Sequence, residues 1–160
     1  RTIGINLVLA YAGAPVLADQ LACSMMKIYT SMRIRDDLTH GISTFYAELT
    51  RIKQIIEAAK EYTQMLFLID EIFRGTNSND RIIGATSVVK ALDSLGTIGA
   101  ITTHDMELCQ LNDTIDVTNY HFSETYTEDT IQFDYSIKAG PSTTTNAKYL
   151  MKMVGIELIQ

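Results

Sequence analysis

The sequence predicts an α/β fold in which a mostly parallel sheet is flanked by helices. The run Leu66–Ile69 has four consecutive apolar residues, as in a strand that is buried on both faces. A helical pattern separates it from a second short apolar run, Ile98–Ile101. Strand, helix and strand in this order form a βαβ unit, so the two strands should lie parallel to each other. The chain of 160 residues is long enough for one such domain with a buried core.

Several elements are expected before this unit. Residues 1–12 have a helical spacing of apolar side chains, and Gly13 and Pro15 should end that helix. Residues 16–22 look extended, and residues 25–32 add a second strand-like piece. These segments supply a first helix and further strand for the sheet.

A second helix should follow a loop at residues 36–42. Ser43 or Thr44 can cap this helix, because either hydroxyl can accept a hydrogen bond from an unpaired amide. Charged residues on the helix should face solvent, with Glu48 as the exception. A three-to-four-residue spacing predicts one apolar face, formed by Phe45, Leu49, Ile52, Ile56 and Ala59.

A polar loop at residues 75–80 follows the buried strand, and a helix should run from about Arg81 to Leu95. A short helix is expected at residues 105–111. Residues 117–124 and 130–138 then alternate between apolar and polar side chains, which predicts a C-terminal antiparallel hairpin. Its turn should lie at 127–129, and a last helix should span 146–154.

Polar side chains follow both strands of the βαβ unit at the point where each strand ends. Asp70 and Glu71 follow the first strand, and Thr102, Thr103 and His104 follow the second. In open α/β sheets such strand ends line the crevice that binds ligands. An acid pair there suits a nucleotide hydrolase, in which one carboxylate holds Mg²⁺ and its neighbour orients the attacking water. The alternative is that the two acids only cap the next helix, and a histidine at the matching strand end makes this less favoured.

Three motifs then resemble those of one family. The text LFLIDEIFRGTNSND, residues 66–80, resembles the Walker B segment and following loop of the MutS family, the ATPases of DNA mismatch repair. Residues 36–56 are similar to the family's signature loop and helix, and TTHD at 102–105 is similar to its switch-histidine motif. The opening residues 1–18 resemble the helix and strand that follow the family's phosphate loop. The signature core is intact in Gly41, Ser43, Thr44, Phe45 and Glu48.

The resemblance implies an ABC-ATPase-like version of the P-loop NTPase fold, with ATP and Mg²⁺ as its ligands. Asp70 would be the Mg²⁺ ligand, through water, because Mg²⁺ dehydrates reluctantly. Glu71 would act as general base or position the water. His104 would contact or sense the γ-phosphate.

The resemblance also implies a homodimer with composite ATP sites. Gly41, Ser43 and Thr44 would form a signature loop that reaches the γ-phosphate held by the other subunit, and a helix start is a suitable anion site. From local sequence alone, Ser43 could equally be a helix cap. A dimer-facing loop is expected to contain Gly75, Thr76 and Asn77, with Gly75 in a backbone conformation that side chains disfavour.

The sequence departs from the family pattern at several positions. Phe73 and Arg81 each stand where the family usually has glycine, which suggests a divergent MutS-related branch. No Gly-x-x-x-x-Gly-Lys-Ser/Thr motif occurs, so the loop that cradles phosphates is missing. We therefore expect residues 1–160 to be a single partial ATPase domain whose first strand and Walker A loop precede Arg1.

Composition limits the expected partners. The net charge is −6, so any DNA binding should use other regions of the parent protein, because the DNA backbone attracts clustered basic residues. Cys23 and Cys109 match no metal-binding spacing and suggest a reducing, cytoplasmic setting. The apolar stretch at residues 3–18 is too short and too interrupted to span a membrane, so no membrane contact is expected from this segment.

Two other functions stay open from the sequence. One is the ATPase of another ABC system such as a transporter, which is disfavoured because the Leu-Ser-Gly-Gly-Gln signature is absent. The other is a non-catalytic dimerisation module, because the chain itself lacks a phosphate loop. A phosphate-loop motif just upstream of Arg1 in the parent sequence would support the enzyme.

Overall fold

A computed structural model describes residues 1–32, 44–126, 131–143 and 150–151, and it confirms the mixed α/β class. The chain divides into two compact units, Arg1–Leu111 and Asn112–Gln160. The helices are α1 (Thr2–Tyr11), α2 (Thr44–Glu61) and α3 (Ser78–Ser94), together with a 3-10 helix at Met106–Asp113. The strands are β1 (Lys27–Ser31), β2 (Met65–Asp70), β3 (Ile98–Thr102), β4 (Tyr120–Tyr126) and β5 (Ile131–Ala139).

The first unit contains a three-stranded parallel sheet in the order β1-β2-β3. The chain passes from β2 through α3 to β3, so the predicted parallel strand–helix–strand unit is confirmed. The register pairs Leu66 with Ile98 and Asp70 with Thr102. The polar residues at the ends of β2 and β3 therefore lie side by side.

Strand β2 is the centre of the core, and it is buried on both faces as predicted. Leu66 and Leu68 pack with Leu7 of α1 on one face. Met65, Phe67 and Ile69 point to the other face, where α2 and α3 contribute buried side chains. Because apolar groups cover both faces, only the end of β2 is free to present polar groups.

Helix α2 buries a stripe that differs from the predicted one. Leu49 was expected in the apolar face but is 41% exposed, whereas Ile55 is fully buried. The buried residues Ile52, Ile55 and Ala59 are spaced by three and four residues, and the half-buried Phe45 and Glu48 continue the same stripe. Leu49 lies at its side. Glu48 thus shares a face with the core residues.

Helix α1 ends as predicted, but the segment after it does not form a strand. Gly13 has a φ of +72°, and the amide of Ala14 donates to the Leu9 carbonyl at 2.9 Å, which is the glycine-terminated helix end known as a Schellman motif. The expected extended segment at 16–22 is irregular. The Leu17 amide donates to the side chain of Asn6 at 2.7 Å, so a helix side chain takes the hydrogen bond that a neighbouring strand would take.

Helix α3 begins three residues earlier than predicted, because Asn77 caps it. The Asn77 side-chain oxygen accepts a hydrogen bond from the Asp80 amide at 3.0 Å. Its side-chain nitrogen donates to the Asp80 carboxylate at 2.6 Å. These two hydrogen bonds fix the start of α3, and Arg81 is the next residue after Asp80.

The second unit contains the predicted antiparallel hairpin, β4–β5. Its register shifts between Phe122 and Glu124, where the chain of β5 contains extra residues and Tyr135 has a φ of +53°. Asp134 accepts a hydrogen bond from the Ser136 amide at 2.9 Å and pairs with Lys138 at 2.9 Å. These contacts close a bulge that the plain alternation of the sequence did not predict.

Some expectations lie outside the described residues. They are the loop at 36–42, the hairpin turn at 127–129 and most of the last helix at 146–154, of which 150–151 are described as helical. In the part of the chain that the structure describes, none of the helices has the length and apolar character needed to cross a membrane.

Candidate functional site

The ends of β2 and β3 form one polar edge. The Thr102 hydroxyl donates to Asp70 Oδ1 at 3.0 Å. The amide of Glu71 lies 3.1 Å from the Thr102 carbonyl oxygen and 3.0 Å from the Thr102 hydroxyl. Thr102 therefore connects the two acidic residues to the neighbouring strand end, as the parallel register requires.

Asp70 is held in its ionised form. Arg1 donates from Nε to Asp70 Oδ2 at 3.1 Å, and its Nη2 lies 2.9 Å from the same oxygen. Burial opposes the charge, but the Thr102 hydrogen bond and the Arg1 guanidinium outweigh it, so the pKa of Asp70 is lowered. A carboxylate that stays ionised at neutral pH is the kind of ligand that a hard cation prefers.

Glu71 contacts both Arg74 and His104. Its Oε1 forms an ion pair with Arg74, and His104 Nε2 lies 3.5 Å from the same oxygen. The Glu71 side chain is 27% exposed and that of His104 is 89% exposed, so both are open to a ligand. Together with Arg81 they line a cavity of about 150 Å³ at this edge of the sheet. The structure thus brings Glu71 close to the histidine that the sequence analysis identified, whereas Asp70 contacts Thr102 and Arg1.

The backbone that carries Glu71 is unusual. Glu71 has a φ of 56° and Phe73 a φ of 58°, both in the left-handed region that side chains disfavour. The prediction that Gly75 supplies this conformation is wrong, because Gly75 has no positive φ, and in this turn residues 71 and 73 have it instead. Such strained positions persist only where the surrounding structure holds them, and they cluster at functional sites.

Gly75 is instead required by close packing. A Cβ added there would lie 3.0 Å from Phe45 Cβ and 3.1 Å from the Phe45 backbone nitrogen. On the same side, Glu48 receives hydrogen bonds from the backbone amides of Gly75 and Arg74. Burial raises the pKa of Glu48, and these two amides with the Arg74 charge oppose that rise. The start of α2 and the turn after β2 are therefore in direct contact.

Phe73 fills the space between this turn and α3. It is 3% exposed, and its ring meets that of Phe45 edge-on with centroids 5.8 Å apart. A Cβ added at Gly84 would lie 2.9 Å from the Phe73 ring. The side chain that stands where the resemblance gives glycine is therefore an integral part of the core.

Of the remaining predicted site residues, Thr44, Thr76 and Asn77 lie among the described residues. Asn77 is the exposed cap of α3, and Thr76 precedes it in the same loop. Thr44 is the first residue of α2. Gly41 and Ser43 lie outside the described residues, so their roles stay predictions.

Sequence reasoning missed several partners of these residues. It assigned no role to Arg1, to Arg74 or to Asp105, and it noted Arg81 only as a departure from a pattern. Arg81 binds Asp105 through two hydrogen bonds that lower the pKa of that carboxyl. Arg74 is only three residues from Glu71, so the sequence spacing could have indicated that pair. The pairs Arg1–Asp70 and Arg81–Asp105 join distant parts of the chain and left no local signal.

Comparisons with known proteins show which family the chain belongs to. The family model of MutS domain V matches residues 1–157. The chain is 31% identical over 160 residues to "DNA mismatch repair protein MutS 2" of Halobacterium salinarum, with 98% of this chain and 18% of that protein covered. It is 28% identical over 159 residues to "DNA mismatch repair protein MutS" of Natronomonas pharaonis, again over 98% of this chain and 18% of that protein. The chain thus spans less than a fifth of the length of these relatives.

Proposed function

The chain belongs to the MutS family, and on that premise we propose that it is the ATP-binding and ATP-hydrolysing segment of a MutS-related DNA repair protein. The observation that carries the proposal is that Glu71 lies beside His104, and Asp70 beside Thr102, at the ends of two neighbouring parallel strands. This is the edge of a parallel α/β sheet where ligands bind. The names of the matched relatives favour DNA repair over a transporter.

Glu71 is proposed as the catalytic base. Its carboxylate is partly exposed beside a cavity, and it can accept a proton from a water that attacks the γ-phosphate. His104, whose Nε2 lies 3.5 Å from Glu71 Oε1, can donate a hydrogen bond to that water or to a phosphate oxygen. The contacts of the Glu71 amide with Thr102 help to hold the left-handed backbone from which this carboxylate projects.

Asp70 is proposed as the Mg²⁺ ligand, and the residues present fit that ion. The carboxylate is ionised, and the described residues contain no cluster of three or more His, Cys, Asp or Glu side chains that would form a complete protein cage. A single carboxylate suits Mg²⁺, which keeps several waters and takes its other ligands from phosphate. When bound, Mg²⁺ would neutralise phosphate charge, while Thr102 keeps Asp70 oriented.

The wider architecture belongs to the same proposal. The sheet would be part of a P-loop NTPase domain of the ABC-ATPase type, with residues 1–160 as a single partial domain. The phosphates would be held by a loop outside these 160 residues, since they contain no such motif. Among the described residues β3 pairs only with β2 and is an edge strand, so it can accept a further strand.

Two subunits would close around two ATP molecules and so couple hydrolysis to the binding of mismatched or branched DNA. Gly41, Ser43 and Thr44 would contact the partner's nucleotide. The loop with Thr76 and Asn77 would face the partner subunit, and its contact with α2 through Gly75 would connect the two sites. DNA would be bound by other regions of the parent protein.

The magnesium assignment is tested by Asp70→Asn in the full-length protein. We expect the Mg²⁺ concentration for half-maximal ATPase activity to rise about tenfold, because a neutral amide is a poorer ligand for a hard cation. Asp93→Asn, on the far end of α3, is the matched control and should leave the titration unchanged. A Mg²⁺ titration of Asp70→Asn that overlays the wild type would remove Asp70 from the site.

The composite site is tested by mixing subunits. Full-length protein with Ser43→Arg should inhibit a wild-type partner, because added bulk and charge would block closure over the γ-phosphate. ATPase activity measured across mixing ratios should therefore fall faster than the wild-type fraction. A linear decline would show that each subunit works alone and would favour Ser43 as a helix cap.

The alternative function, a non-catalytic dimerisation module, leads to a different expected result. If the parent protein lacks a phosphate loop, wild-type ATPase activity should be absent, and neither variant should change a nucleotide-dependent signal. Mg²⁺-dependent hydrolysis by the wild-type parent excludes that reading.

A further inference from the structure

A two-point ion pair joins the first turns of α3 to the turn that carries His104. Arg81 Nε lies 2.6 Å from Asp105 Oδ2, and Arg81 Nη2 lies 2.7 Å from Asp105 Oδ1. The side chains are 27% and 12% exposed, so water competes weakly for either group. Two parallel hydrogen bonds from a planar guanidinium fix orientation as well as distance.

Both ends of this link are themselves held. The Arg81 amide donates to the Asn77 carbonyl at 3.0 Å, within a helix start that Asn77 caps. At the other end, the Asp105 amide donates to the Thr103 hydroxyl at 3.0 Å. The ion pair therefore connects two locally ordered segments, and a displacement of one would move the other.

His104 lies between Thr103 and Asp105, the two residues that this hydrogen bond joins. Its side chain is 89% exposed, so little packing orients the imidazole, yet its Nε2 lies 3.5 Å from Glu71 Oε1. The position of the ring therefore depends on the backbone of the turn. Asp105 is the adjacent residue, and its two hydrogen bonds with Arg81 anchor the turn to α3.

We propose that Arg81 is a positioning residue, which holds the turn at 103–105 through Asp105 and so keeps His104 within reach of Glu71. The inference rests on the proposed ATPase function. It assigns a role to a residue that departs from the family pattern. It also explains why the departure is tolerated, because the arginine finds its partner in the switch-histidine motif.

The first test is the kinetics of Arg81→Gln in the full-length protein. We expect kcat for ATP to fall about tenfold or more, since a small displacement of a catalytic group has a large effect on rate, with KM within about twofold. Arg81→Lys keeps the charge but loses the second hydrogen bond, so its kcat should be intermediate. Arg51→Gln, on the exposed face of α2, is the matched control and should match the wild type.

A second test separates positioning from general stabilisation. In a His104→Ala background, Arg81→Gln should have little further effect on kcat, because the residue that it positions is gone. A charge-reversed pair, Arg81→Asp with Asp105→Arg, should recover part of the lost rate. Equal losses in both backgrounds would overturn the proposal.

A third measurement does not depend on activity. Hydrogen exchange of the Asp105 amide in the full-length protein should be about tenfold faster in Arg81→Gln, because the turn opens more readily. Unchanged exchange at 103–105 would overturn the proposal even if kcat fell. If the wild-type protein hydrolyses no ATP, the proposed function fails, and the exchange result alone decides whether Arg81 holds this turn.

Discussion

Replacing Glu71 with glutamine should nearly abolish ATP hydrolysis by the full-length protein while leaving ATP binding largely intact. Glutamine has the same shape and reach but cannot accept the proton of the attacking water, and loss of such a base lowers rates about 10²–10⁴-fold. In this structure the change also removes the charge that pairs with Arg74. Steady-state ATPase assays and equilibrium binding of labelled ATP measure the two effects separately.

The matched control for this variant is Glu57→Gln. Glu57 lies on α2 and pairs with Lys60 at 2.9 Å, and both side chains are more than half exposed, so its loss should leave the rate unchanged. An ATPase rate of Glu71→Gln within about twofold of the wild type would remove Glu71 from the mechanism. A parallel loss of ATP binding would indicate that Glu71 supports the nucleotide site rather than the hydrolysis step.

Truncating Phe73 should produce the largest loss of stability. Phe73→Ala removes a ring that is 3% exposed and packs on Phe45 and Gly84, and such cavities cost about 3–5 kcal/mol. Phe73→Gly should be less damaging than Phe73→Ala by about 1 kcal/mol, because glycine adopts the φ of 58° without strain. At ordinary helix and strand positions the order of the two variants is the reverse.

Hydrogen exchange of α3 amides in the full-length protein gives the local free energy of opening for both variants. The matched control is Phe122→Ala on β4, where the side chain is 61% exposed, and α3 exchange should be unaffected. If Phe73→Gly opens more readily than Phe73→Ala, the left-handed conformation at this position carries no strain. If neither variant changes exchange, Phe73 does not support the core.

The part of the fold that the sequence predicted rests on strong local signals. The run Leu66–Ile69 is apolar without interruption, which favours a strand buried on both faces, and side chains of this run pack into two separate core clusters. Since parallel strands end at one edge, the meeting of Glu71 and His104 followed from the order of the elements. The family motifs then supplied roles that the pattern alone could not assign.

The missed features depend on geometry that sequence does not encode locally. Periodicity predicted an apolar face on α2 but not its centre, so Leu49 was assigned to the core and Ile55 was not. A glycine in a loop can serve a positive φ or a close approach, and at Gly75 the structure shows the second. Arg81 and Asp105 are 24 residues apart, one near the start of α3 and the other after β3, and only the tertiary fold brings them together.

The contact between Phe73 and Gly84 also restricts how this segment can evolve. With the phenyl ring in place, any side chain at position 84 collides with it, so the two positions cannot change independently. A lineage that regains glycine at 73 becomes free to accept a larger residue at 84, whereas the opposite order of substitutions passes through a clashing intermediate. Homologues should therefore show a large residue at one of these positions and a small one at the other.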